Sequence, residues 1–108
     1  MIHLSATHHA ILRARQRAGW RRAALGRMLE RIFFDGVAAS APCRKIRELL
    51  RGYQEREPGR FARAYGEHVF VFARGNADDE AVLVTVLPLP HEYRTAVRDA
   101  RQKAWAIA

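Results

Sequence analysis

The sequence predicts an α+β domain in which two to three N-terminal helices pack on a small antiparallel sheet, with a C-terminal helix to close it. Three observations carry this. Up to residue 57 the chain offers helix-forming, amphipathic runs broken by Gly19, by Asp35-Gly36 and by a stretch of small residues. Beyond Arg60, two β-branched and aromatic runs, HVFVFAR and AVLVTVL, flank the polar loop GNADDE. A helix-forming run then follows the breaker Pro88-Leu89-Pro90.

Taken in order, residues 2–5 (IHLS) alternate and fit a short strand or a frayed start. Ser5 and Thr7 are good helix caps. His8 to Ala18 contains no Gly or Pro, and Gly19 ends the run. From Arg21 to Phe34, the residues Leu25, Met28, Leu29, Ile32 and Phe33 recur at helical spacing and form a core stripe. Asp35-Gly36 stops that helix. Residues 37–42 (VAASAP) read as a connector. Cys43 to Gln54 reads as a third helix, with Ile46, Leu49, Leu50 and Tyr53 on one side. Glu57-Pro58-Gly59 is a turn. Phe61 to Tyr65 alternates apolar and polar residues as a half-buried strand does, and Gly66-Glu67 turns the chain. His68 to Arg74 is a strong strand. Ala81 to Leu87 is another, apolar on both faces and therefore expected at the centre of the sheet. His91 to Trp105 reads as the closing helix. Neither half carries enough apolar surface to close a core alone, so residues 1–108 are expected to form a single domain.

Charge separates the halves. The chain carries 19 Lys+Arg against 11 Asp+Glu, a net charge of +8. All of that excess lies in residues 1–60, with 13 basic and 5 acidic side chains; the remainder balances. Seventeen of the cations are arginine, whose planar fork grips phosphate with two hydrogen bonds. A phosphate-rich partner fits this distribution. Long arginines on solvated helix faces are the plain alternative. No apolar run approaches the ~18 residues that span a bilayer. The start, MIHLSATHH, lacks the layout of a secretion signal. Cys43 is the only cysteine, which excludes an internal disulfide and fits a reducing compartment. A cytoplasmic protein without membrane contact is the expectation.

The segment from His9 to Trp20, HAILRARQRAGW, holds the most specific chemistry. At about 100° per helical residue, Arg13 falls about 40° from His9, Arg17 about 80° and Gln16 about −20°. These four polar groups share one narrow face, while Ala10, Ile11, Ala14 and Ala18 take the other. Two arginines one turn apart repel unless an anion lies beside them. Histidine is the side chain that moves protons near neutral pH. Together they make a minimal kit for cleaving RNA without a metal: a base for the 2′-hydroxyl, an acid for the leaving oxygen and cations for the phosphate.

His9-Ala10-x-x-Arg13-x-x-x-Arg17-x-Gly19, followed by an amphipathic helix, a hairpin and the strand LVTVL around Thr85, resembles a group of small bacterial and phage proteins. These are related to the Barnase–EndoU–colicin–RelE (BECR) superfamily of ribonuclease toxins. The resemblance implies a helical front on an antiparallel sheet, RNA as substrate and no metal. It implies His9, Arg13 and Arg17 as catalytic candidates and Thr85 as a strand position facing the site.

Arg13, Gln16, Arg17 and Arg21 are also candidates for nucleic-acid contacts. His68 either faces the site across the sheet or is an ordinary strand-end residue, as is Tyr65. Arg74 either clamps a phosphate or neutralises Asp78, Asp79 or Glu80 across the hairpin. Trp20 and Trp105 offer rings on which bases can stack, although Trp20 also fits a staple between the first two helices. Cys43 has no histidine near it in sequence to make it a nucleophile. HExxH, CxxC, a phosphate loop and a dinucleotide fingerprint are all absent, so no metal and no cofactor are expected. The function these observations predict is a small basic, RNA-directed, toxin-like protein acting as a metal-independent ribonuclease. An acidic antitoxin or immunity protein would be its partner. The alternative is a non-catalytic basic module that binds nucleic acid or protein, such as a phage regulator or inhibitor.

Overall fold

The two most apolar runs of the chain form a long hairpin in the middle of the sheet. In the computed structural model, which describes the backbone of residues 2–41 and 43–107 and the side chains through residue 102 except Pro42, the elements follow in this order. Strand β1 (His3–Ala6) leads into helix α1 (His8–Arg13), which continues as one π-helical turn (Ala14–Ala18). Helix α2 (Arg22–Asp35), the short strand β2 (Val37–Ala38) and helix α3 (Arg44–Glu55) come next. Strands β3 (Arg60–Tyr65), β4 (His68–Arg74) and β5 (Glu80–Pro88) precede a 3₁₀ turn (His91–Tyr93) and helix α4 (Arg94–Ile107).

The architecture corrects the expected layout in three respects. The sheet has five strands in the order β1-β5-β4-β3-β2, and it is mixed: β1 runs parallel to β5 while the other pairs are antiparallel. The chain opens with a strand, before any helix. And the helices do not form one layer. Ala10, Ala14, Leu25, Leu29 and Ile32 from α1, the π turn and α2 bury against Phe70, Phe72, Leu83 and Val86. Ile46, Leu50 and Val97 from α3 and α4 bury against Ala62, Ala64, Val69 and Val71 on the opposite face. Covering both faces is what the two-sided apolar character of β4 and β5 requires. The alternation of residues 2–5 left a strand or a frayed start open, and pairing with β5 nearly eighty positions away, His3 with Glu80, makes it a strand. The strand missed within the connector 37–42 is β2, which at two residues is too short to leave a signal in the sequence.

Arg63 joins α2 to the sheet. Its Nε donates to the Phe33 carbonyl at 3.1 Å and its Nη1 to the Ala62 carbonyl at 3.2 Å. The Phe33 carbonyl belongs to the last turn of α2, where no intrahelical donor reaches it, and a cation there also complements the helix dipole. The guanidinium lies over the rings of Phe33 and Phe61 at 5.3 and 5.6 Å. Burial pushes its pKa below the ordinary arginine value. The carbonyls and ring faces offset that desolvation without a carboxylate.

Candidate functional site

The site is built where β1 runs out. Ala6 pairs with Leu83, the Thr7 amide donates to the Leu83 carbonyl at 3.0 Å, and the chain then turns into α1. Thr7 caps the helix, its Oγ1 accepting from the Ala10 amide at 3.1 Å. From Val84 onward, α1 and the π turn lie where β1 would have continued. Arg17 replaces one lost strand bond by donating from Nη1 to the Val86 carbonyl at 2.8 Å. His68 in turn donates from Nε2 to the Arg17 carbonyl at 3.0 Å, and Arg13 Nη1 donates to Gln16 Oε1 at 3.0 Å.

A π turn interrupts this helix. The Gly19 amide donates to the Ala14 carbonyl, five residues back, and the Trp20 amide donates to the same carbonyl at 3.2 Å as the chain leaves the helix. Each residue therefore turns through less than 100°, and angular spacing along an α-helix no longer locates Gln16 and Arg17. Gly19 closes the turn at φ 71°, a left-handed conformation natural to glycine.

His9 points elsewhere. Exposed in the first turn of α1, it lines a cleft of about 290 Å³ together with Thr85, Tyr53, Arg56, Glu57 and Arg60, above Val71, Val84 and Leu87. A β-bulge brings Thr85 there. Thr85 pairs with Val71 but Leu83 pairs with Phe72, so Val84 is an extra residue in the strand. Simple alternation would put Thr85 on the Leu83 face; the bulge turns it to the face of Val71, under α3. Arg60 is held by Glu57 through Nε at 3.0 Å and Nη2 at 2.6 Å. Arg56 lies over the Tyr53 ring at 5.3 Å and has no acidic partner among the described residues.

The structure thus brings His9 and Thr85 together, and leaves Arg13, Gln16 and Arg17 outside their cleft. Arg21 is exposed at the start of α2. Arg74 is exposed at the end of β4 and makes no ion pair with Asp78, Asp79 or Glu80 among the described residues. Asp79 pairs instead with His3 at 3.5 Å, and Glu80 Oε2 accepts from the Ala77 amide at 3.2 Å. Trp20, half-buried, stacks on Phe70 with ring centroids 5.6 Å apart, packed against the core of its layer. The side chain of Trp105 lies outside the described residues. Tyr53, Arg56, Glu57 and Arg60 are the cleft residues that sequence reasoning missed. They flank a Pro-Gly turn, where charged residues read as ordinary solvated surface.

An expected result follows for Arg17. Arg17→Ala leaves the Val86 carbonyl without its partner and should lower stability by about 1–2 kcal/mol, as a lost hydrogen bond to a charged group does. Thermal unfolding of the variant checks this; an unchanged midpoint would show that the bond contributes nothing.

Among the described residues no group of three or more His, Cys, Asp and Glu is arranged to hold a metal ion, and no helix is long and apolar enough to cross a membrane. Comparison with family models, with curated proteins and with solved structures gives no match.

Proposed function

We propose that the protein is a small, toxin-like, metal-independent endoribonuclease that works in the His9 cleft. One observation carries the reading. His9, Thr85 and the arginine pair Arg56 and Arg60 come from three separate stretches of chain and converge on one concave site. The cleft supplies both proton carriers that RNA cleavage needs. The Glu57 carboxylate, an acceptor only, takes the proton of the 2′-hydroxyl. The 2′-oxygen attacks phosphorus, the bond to the 5′-oxygen breaks, and the imidazolium of His9 delivers a proton to that leaving oxygen. Arg56 and Arg60 offset the charge gathered on the phosphate. The nucleophile is the RNA's own hydroxyl, so no metal-bound water has a role. The resemblance to BECR ribonuclease toxins implies the same chemistry. A free ribonuclease harms its host, so this reading also implies an acidic antitoxin or immunity protein over the basic face, in a cytoplasmic setting.

The second reading is a non-catalytic basic module. It is favoured by the bonds that engage Arg13, Arg17 and His68 within the fold itself. Labelled RNA incubated with the protein in EDTA separates the two. The nuclease yields fragments ending in a 2′,3′-cyclic phosphate, and Arg56→Ala weakens both binding and cleavage. Intact RNA, bound with a log–log salt slope of about −0.7 per phosphate contact, supports the module. A slope near zero rejects contact of the basic half with phosphates, and with it both RNA readings.

A further inference from the structure

A second cleft, larger than the first, opens along α4. It encloses about 710 Å³ and lies toward the other end of β3, beside the β3–β4 turn at Gly66-Glu67. The two clefts share no lining residue. Arg94, Arg98 and Arg101 line it from positions i, i+4 and i+7 of one helix, with His91 preceding them. They span about 10 Å at 1.5 Å per residue. The only acid lining the cleft among the described residues is Glu67, whose Oε1 stands 3.5 Å from Arg94 Nη1.

Two features mark this as more than a solvated helix face. The Nε atoms of Arg94 and Arg101 are buried and have no hydrogen-bond partner among the described residues, an arrangement that native proteins rarely leave unanswered. Arg101 is also fixed in place, its guanidinium 4.1 Å from the centre of the Tyr65 ring. Arg94, Arg98 and Arg101 share one face of the helix, and like charges at one-turn spacing repel one another, with only Glu67 beside them among the described lining residues. Gly66 adds room. Its φ of 60° is the left-handed conformation the tight turn needs, and the space a Cβ would take is open. Val97 is buried beneath.

We propose that the α4 cleft binds an organic polyphosphate of nucleotide size. The volume falls in the range of small-ligand sites. The arginine ladder offers successive forked donors to successive phosphates of one chain, and the floor at Val97 and Gly66 receives the uncharged part. This site is independent of the RNA-cleavage reading, since no lining residue is shared.

Titration calorimetry on the full chain at physiological salt tests it, with ATP, inorganic triphosphate and adenosine as probes. ATP and triphosphate should bind with one-to-one stoichiometry and adenosine should not. Equal affinities would assign recognition to the phosphates alone; tighter ATP would add a seat for the nucleoside. Arg98→Glu, on an exposed side chain, should weaken binding at least about tenfold, the scale of one charge-assisted contact. Arg98→Gln should weaken it less. Arg27→Glu, the same charge change on the exposed face of α2, should leave binding as it was. Absence of binding by both phosphate probes overturns the proposal. So does equal weakening by Arg98→Glu and Arg27→Glu, which would mean only general charge attraction.

Discussion

His9→Ala is expected to slow RNA cleavage by about 10²–10⁴-fold, the usual contribution of a positioned general acid, while RNA affinity changes little. In the proposed mechanism the imidazole gives up its proton only as the 5′-oxygen leaves, whereas Arg56 and Arg60 would already meet the phosphate in the bound state. His9 is a clean target for the measurement. It is exposed on α1 and takes no part in either core, so its truncation should not alter the melting temperature. His8 is equally exposed and does not line the cleft. His8→Ala should therefore cleave like the wild type. Single-turnover rates and filter-binding affinities for the three proteins decide the matter. Equal rates for His9→Ala and the wild type would remove His9 from the chemistry. Parallel loss of binding and rate would make it a contact residue.

Phe72→Ala is expected to cost about 3–5 kcal/mol of stability, the range for emptying an aromatic site in a core. Phe72 is fully buried on the α1–α2 face of β4. Its ring stacks on Phe61 with centroids 5.8 Å apart and meets Phe33 edge-on at 5.5 Å. Removing it leaves a cavity and disrupts both pairs at once. Phe33 and Phe61 also carry the guanidinium of Arg63, so the clasp between α2 and β3 loosens with them. Against a total stability of about 5–15 kcal/mol for an ordinary domain, this is a large fraction, and the melting temperature should fall by more than about 10 °C. Phe72→Leu keeps most of the volume and should lose markedly less. Thermal melts of the two variants test the account; similar small losses for both would mean that the ring pairs contribute little.

The residues that were legible in the sequence are those whose signal is local. The stripe of Leu25, Leu29 and Ile32 repeats within one helix, and the run from Val69 to Phe72 announces a strand by its side-chain types alone. Gly19 punctuates the chain where its φ of 71° is needed. The site was legible only in part. His9 stood out because a proton-moving side chain precedes arginines at helical spacing, but the partners assigned to it assumed uninterrupted α-helical geometry. The π turn at Ala14–Ala18 removed that assumption, and Arg17, two turns further along the chain than His9, bonds the β5 edge instead.

Sequence by itself determined the longer helices and the three strands after Arg60, where the basic charge is concentrated, and that His9 is followed by arginines at helical spacing. Tertiary structure alone decided the rest. It made residues 3–6 a strand by pairing them in parallel with β5, and it placed α3 on the face opposite α1 and α2. It turned Thr85 across the sheet through one extra residue at Val84, and it brought Arg56 and Arg60 to His9. The physical reason is common to all four. Periodicity and propensity act over a few neighbouring residues, whereas the face on which a helix packs, the register of a strand and the lining of a cleft depend on contacts between segments far apart in the chain. Those contacts are chosen by the burial of the whole core, and no single segment encodes them.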